Sequence, residues 1–168
     1  MSIKYNLEKK NSSPWIEKYR PKSINELLLD KYTMNKVKTI NKEKSLPNII
    51  ITGVPGIGKT TTILCIAKNI YNKKEQEELV LELNASDDRG LSIINNTIIP
   101  FCRKKISGVN HKLVILDEAD SITNKAQNLL NIIIAEYIHN TRFVFICNEC
   151  HKITEPIQSR CNIIRFPR

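Results

Sequence analysis

Apolar and polar positions along this chain fall into two textures, short unbroken apolar runs and longer stretches in which apolar residues recur every three or four positions. The run Asn48-Ile49-Ile50-Ile51-Thr52 is short and β-branched, the signature of a parallel strand buried on both faces. Four further runs, at 79–84, 112–117, 142–147 and 161–166, read as strands in the same way. Helical spacing covers 30–43 ahead of the first strand and, between strands, a stretch from Thr61 to about Tyr71, a stretch from Leu91, and 125–138. In the last, Ala126, Leu129, Leu130, Ile133, Ile134, Tyr137 and Ile138 share one helical face. The helix from Leu91 should stop or kink at Pro100, whose ring clashes with the preceding turn. Lys73-Lys74-Glu75-Gln76-Glu77-Glu78 reads as a charged turn. Strands alternating with helices predict a doubly wound, parallel, five-stranded α/β sheet with ligands at the carboxyl ends of its strands.

At 168 residues the chain is about one domain, with residues 1–13 a polar lead and the domain over 14–168. The 26 basic against 17 acidic residues leave a formal charge of +9, which suits either an acidic partner such as nucleic acid or a solvated basic surface. No signal peptide and no apolar run of about 18 residues is visible, so an intracellular protein without a membrane span is expected. The five cysteines then read as reduced thiols. Cys147-Asn148-Glu149-Cys150-His151 has the spacing of a haem attachment or half a zinc site, but it directly follows a strand-like run.

Gly53-Val54-Pro55-Gly56-Ile57-Gly58-Lys59-Thr60 carries the phosphate-loop pattern, two glycines flanking four residues' spacing and then Lys and Thr, with Thr61 opening the helix. It stands between the first strand and a helix, the order the chemistry needs. Backbone N–H groups freed by glycine can cradle phosphates at a helix N-terminus, where the dipole also favours negative charge. Lys59 would reach the β- and γ-phosphates of ATP, and the Thr60 hydroxyl would hold Mg²⁺.

Asp117 and Glu118 follow the third apolar strand, where the sheet meets the bound phosphates. Asp117 would hold Mg²⁺ directly or through water, and Glu118 would act as base on the attacking water. Asn84 and Asn148 end neighbouring strands, where an amide can bond a water, a phosphate or a carboxylate, or merely form a turn. Arg160, just before the last strand, could stabilise charge developing on a phosphate.

Five segments together resemble the small subunits of replication factor C, the sliding-clamp loader, within the AAA+ ATPases. They are Trp15-Ile16-Glu17-Lys18-Tyr19-Arg20-Pro21, the phosphate loop, Glu82 to Gly90, Leu116-Asp117-Glu118-Ala119-Asp120, and Glu155-Pro156-Ile157-Gln158-Ser159-Arg160-Cys161. The resemblance implies that Tyr19, Arg20 and Pro21 border the adenine and that Asn148 senses the γ-phosphate. It implies that Asn84 restrains Glu118 until DNA binds, and that Arg160 is an arginine finger for ATP on a neighbouring subunit. It further implies a hetero-pentamer with the other replication factor C subunits, the sliding clamp PCNA and primer-template DNA as partners, and a nuclear location. The family continues into a helical lid and a collar domain, so this chain reads as a piece of a longer protein. Where that family carries basic residues toward DNA, this chain has Asn95, Thr97, Ile99 and Asn131-Ile132-Ile133-Ile134-Ala135, with Arg89 and Arg103-Lys104-Lys105 as the available cations. Two rivals remain at this level: a helicase of the Asp-Glu-Ala-Asp type, and a structural subunit that holds nucleotide without turnover.

Overall fold

The computed structural model describes residues 19–43, 45–87, 90–105 and 110–167. The polar lead, Trp15-Ile16-Glu17-Lys18 and Arg89 lie outside these residues. In chain order the main elements are α1 (Lys31–Glu43), β1 (Ile49–Thr52), α2 (Lys59–Ile70), α3 (Lys73–Leu79) and β2 (Val80–Asn84). A helical segment, α4, then covers 91–103 in three pieces, followed by β3 (Lys112–Asp117), α5 (Asn124–Glu136), β4 (Thr141–Cys147), α6 (Glu155–Gln158) and β5 (Asn162–Arg165).

All strand pairs are parallel and the sheet order is β2-β3-β4-β1-β5. The three central strands are buried almost throughout, which is why their sequences are apolar without alternation. Alternate residues nonetheless serve different cores. Ile50, Val114, Leu116, Phe143 and Phe145 face a core closed by α4, α5 and α6. Ile49, Ile51, Leu113, Ile115, Val144 and Ile146 face a second core closed by α1 and α2. The chain thus leaves β1 on one face, crosses to the far edge at β2, and returns through β3 and β4 with helices on the other face. β1 and β4 are therefore neighbours at the reversal of strand order, where a doubly wound sheet opens a crevice at its carboxyl ends.

Two local expectations need correction. Residues 73–79 form the helix α3 rather than a charged turn, because Asn72 and Glu75 bond reciprocally: Glu75 N–H donates to the Asn72 side chain at 3.0 Å and Asn72 N–H to Glu75 Oε2 at 2.8 Å. The α4 segment does not stop at Pro100 but runs to Arg103. A π turn at Ile94–Ile98 precedes it, and Pro100 falls in the first turn of the final α piece, just after the change from π to α winding.

A buried cation ties this segment to the sheet. Lys112, at the start of β3, is fully buried, and its Nζ donates to the carbonyls of Phe101, Cys102 and Lys104 at 2.5–2.7 Å. These are the carbonyls at the negative end of α4, so the ammonium caps the helix and completes its own coordination. Asn48 performs a similar task at the start of β1, accepting from Phe143 N–H through Oδ1 and from Asn162 N–H through its backbone carbonyl.

His111 supplies a test of the core. It is 2% exposed, lies edge-on to the Tyr71 ring at 6.0 Å, and its Nε2 has no hydrogen-bond partner. Burial, with the Arg142 charge adding to it, pushes its pKa down to about 4. The folded state thus binds this proton less tightly than the unfolded chain does. Its contribution should be intact above about pH 6.5 and be lost as pH falls from there through about 4. Urea unfolding of His111→Leu at neutral and acid pH should show a flatter pH dependence than the parent. An unchanged slope would mean that His111 does not enter the core uncharged.

Candidate nucleotide site

The site forms where β1, β3 and β4 end together. Thr52 pairs with Cys147 across β1 and β4, so Gly53 and Asn148 leave the sheet side by side, while Asp117 closes β3 one strand away. A cavity of about 500 Å³ opens there. Tyr19, Arg20 and Pro21 line it, with Pro55, Gly56, Gly58, Lys59, Thr60 and Thr61 of the loop and the start of α2, Asp117 and Glu118 after β3, and Ile146, Cys147 and Asn148 at the end of β4. Gly53, Val54 and Ile57 do not line this cavity, although Gly53 and Val54 contribute carbonyl oxygens to Lys59.

Glycine is required by geometry at distinct points of the loop. Gly56 and Gly58 sit at φ of 77° and 93°, in the left-handed region, and Gly58 leads directly into α2. At Gly53 the constraint is contact: a Cβ there would lie 2.9 Å from the Phe166 carbonyl oxygen and 3.0 Å from its Cβ. The segment after β5 therefore packs directly against the loop, and Phe166 N–H donates to the Thr52 carbonyl at 2.8 Å.

Lys59 is 7% exposed, and its Nζ donates to Gly53 O, Val54 O and Asn148 Oδ1 at 2.8–2.9 Å. Burial lowers its pKa, while the Asp117 carboxylate works in the opposite direction. The ammonium is thus held among neutral oxygens, ready for anionic ones. Thr60 Oγ1 donates to Asp117 Oδ2 at 2.7 Å. Two hard oxygens side by side suit Mg²⁺, which takes few protein ligands and keeps its remaining positions for water and phosphate.

Asp117 uses its other oxygen locally, since Oδ1 accepts from Glu118 N–H at 2.8 Å. Glu118 adopts φ 51° and is the non-glycine residue with positive φ among those described. That conformation costs on the order of 1–2 kcal/mol, and the bond from its N–H to Asp117 offsets part of it. Two residues on, Asp120 Oδ2 accepts from the N–H groups of Asn148 and Glu149, each at 3.2 Å. Sequence spacing alone had not marked Asp120, because its partners lie on a different strand end.

The remaining expected residues lie elsewhere. Asn84 ends β2 beside Asp117, and its Oδ1 accepts from Ser86 N–H and Oγ at 3.0 and 2.9 Å; among the described residues no hydrogen bond joins it to Glu118. Arg160 is exposed, does not line the cavity, and donates through Nη1 to Pro156 O at 2.9 Å. Cys147 is buried at the end of β4 with its thiol pushed up to about 12 by burial, and His151 pairs with Glu149 on the surface. No cluster of metal-binding side chains occurs among the described residues.

The model of the ATPase family associated with various cellular activities (AAA) matches residues 49–168. The chain belongs to the AAA family. This AAA domain is 46% identical over 167 residues to replication factor C subunit 4 of Schizosaccharomyces pombe, covering 96% of the chain and 48% of that protein. It is 47% identical over 154 residues to human replication factor C subunit 5, covering 91% of the chain and 45% of that protein. The chain spans about half the length of these relatives. Among solved structures, the Thermotoga maritima RuvB Holliday junction branch migration motor superposes with a TM-score of 0.67 over 88% of the chain and 48% of its own, at 18% identity. That likeness carries the AAA fold.

Gly53→Ala and Gly56→Ala separate the two roles of glycine. The first forces a Cβ against the Phe166 carbonyl oxygen and Cβ and should lower stability by about 1–3 kcal/mol, with loss of nucleotide affinity. The second meets nothing within 4 Å and should cost only its left-handed φ, about 1 kcal/mol. Equal effects in thermal unfolding would show that the approach of Phe166 does not constrain the loop.

Proposed function

We propose that this AAA domain binds ATP with Mg²⁺ and hydrolyses it as part of a small subunit of a DNA sliding-clamp loader. The observation that carries the reading is the meeting of Lys59, the Thr60–Asp117 pair and Asn148 in one cavity at the reversal of strand order, in a chain similar to replication factor C subunits.

In this reading the loop N–H groups and Lys59 bind the phosphates, and Tyr19, Arg20 and Pro21 border the base. Thr60 and Asp117 would hold Mg²⁺, which neutralises charge on the phosphate oxygens. Glu118 accepts the proton of the attacking water, and its backbone is held for that role by Asp117. Asn148 reports the γ-phosphate, since its amide already touches Lys59. Asn84, at the end of the adjacent strand, would restrain Glu118 through a rearrangement away from Ser86.

Arg160 would act on ATP held by a neighbouring subunit, which agrees with its exposure outside this chain's own cavity. The hetero-pentamer, the clamp PCNA, primer-template DNA and a nuclear location follow from the similarity to replication factor C subunits. Binding of DNA by this domain would rest on Arg103, Lys104 and Lys105, exposed at the end of α4, because Asn95 and Thr97 replace the basic residues expected on that segment. No described helix is long and apolar enough to cross a membrane.

Two measurements on the reconstituted loader test this reading. Lys59→Ala should weaken ATP binding at least about tenfold, whereas Glu118→Gln should preserve binding and slow turnover by about 10²-fold or more. Native ATP affinity in Lys59→Ala would refute the phosphate-loop assignment, and native turnover in Glu118→Gln would refute the base. Arg160→Ala, placed in this subunit alone, should leave its own ATP affinity intact and lower turnover at the adjacent site by up to about 10³-fold. Arg160→Lys should rescue poorly, because a point charge does not reproduce the planar fork of guanidinium. Full activity of Arg160→Ala would reduce this arginine to a surface residue.

A further inference from the structure

Asp120 links two strand ends that the phosphate loop and the Asp117–Glu118 pair do not join. A 3₁₀ turn at Ala119–Ser121 follows β3, closed by Ser121 N–H to Glu118 O at 2.9 Å and Ile122 N–H to Ala119 O at 3.2 Å. The turn carries Asp120 to the end of β4, where its Oδ2 accepts from two successive backbone N–H groups, those of Asn148 and Glu149. These groups lie just beyond the β1–β4 ladder, which ends at the Thr52–Cys147 pair. A carboxylate oxygen shared by two N–H donors is charge-assisted and fixes the backbone that carries them. From that backbone Asn148 sends Oδ1 to Lys59 Nζ at 2.8 Å, and its carbonyl accepts from Thr52 Oγ1 at 3.3 Å.

We propose that Asp120 is a positioning residue that sets the Asn148 amide against Lys59 and so governs how well the site tells ATP from ADP. The inference rests on the reading of Asn148 as the group that meets the γ-phosphate. The loop N–H groups serve the phosphates common to both nucleotides and supply little discrimination, so selectivity falls to the groups that meet the γ-phosphate, Lys59 and the Asn148 amide bonded to it. Asn148 touches that ammonium from the adjacent strand end, and in this reading its amide is the group placed to meet the terminal phosphate. Asp120 contributes no atom to the cavity lining itself. Its effect reaches the reacting groups through Asn148.

The test uses the loader reconstituted with the whole protein. Affinities for ADP and for a non-hydrolysable ATP analogue are measured by calorimetry, beside steady-state turnover. Asp120→Ala should leave ADP affinity within about twofold, weaken the analogue by about fivefold or more, and lower turnover by about tenfold. Asp120→Asn retains an oxygen that accepts from both N–H groups, so it should restore the analogue-to-ADP ratio to within about threefold of the parent. Should Asp120→Ala fail to fold, Asp120→Glu, which moves the carboxylate by one methylene, should show the same selective loss.

Equal weakening of both nucleotides would overturn the inference, because it marks a general loosening of the site. So would an unchanged ratio in Asp120→Ala, or failure of Asp120→Asn to restore it. A parent complex that binds the analogue normally alongside a silent Asp120→Ala would overturn this inference alone. A parent complex that binds neither nucleotide would overturn the proposed function along with it.

Discussion

The parallel sheet and its reversal of direction between β1 and β4 are the constraint on which the site depends. Parallel strands place all their carboxyl ends along one edge, and the reversal sends the helices after β1 and β4 to opposite faces, leaving the space between them open. Gly53, Asn148 and Asp117 are separated by long stretches of sequence but leave adjacent strands at nearly one level. A slip of one residue in the β1–β4 ladder would exchange Ile49 and Ile51 with Ile50 between the two cores, so the hydrophobic pattern fixes the level of the site.

Within the crevice, polar groups satisfy one another before any phosphate is considered. An ammonium as buried as that of Lys59 is tolerated only where its donors are met, and two loop carbonyls and the Asn148 amide meet them. Asp117 divides its oxygens between the Thr60 hydroxyl and the Glu118 N–H, joining the proposed metal ligand to the proposed base. Preorganisation of this kind lowers the cost of rearrangement when charge is added.

The same economy of polar groups supports the scaffold away from the site. Lys112 closes the carbonyl end of α4 from inside the core, and Asn48 bridges β4 and β5 at the start of β1, the strand between them. Leaving such a buried backbone group unpaired costs about 1–3 kcal/mol, so these side chains hold elements that the apolar contacts alone would leave free to slide.

The five strands, the phosphate loop and the Asp117–Glu118 pair were legible in the sequence because each is a local pattern: a β-branched run, glycines at fixed offsets, carboxylates after an apolar strand. The helix α3 reads as a turn from its charged composition, although the Asn72 and Glu75 spacing of a capping box is the signal that marks it. Continuation of α4 through Pro100 was not, since it depends on a π turn stabilised where Ile94 and Ile98 pack into the core. Nor was the role of Asp120 or Lys112, whose partners are backbone groups brought near by the sheet rather than by spacing along the chain. The sequence by itself determined which residues could bind a phosphate or a metal, because that chemistry resides in side-chain type and in glycine's freedom of φ. Only the tertiary structure decided which strand ends stand together, because strand order and register arise from packing two helical layers on one twisted sheet.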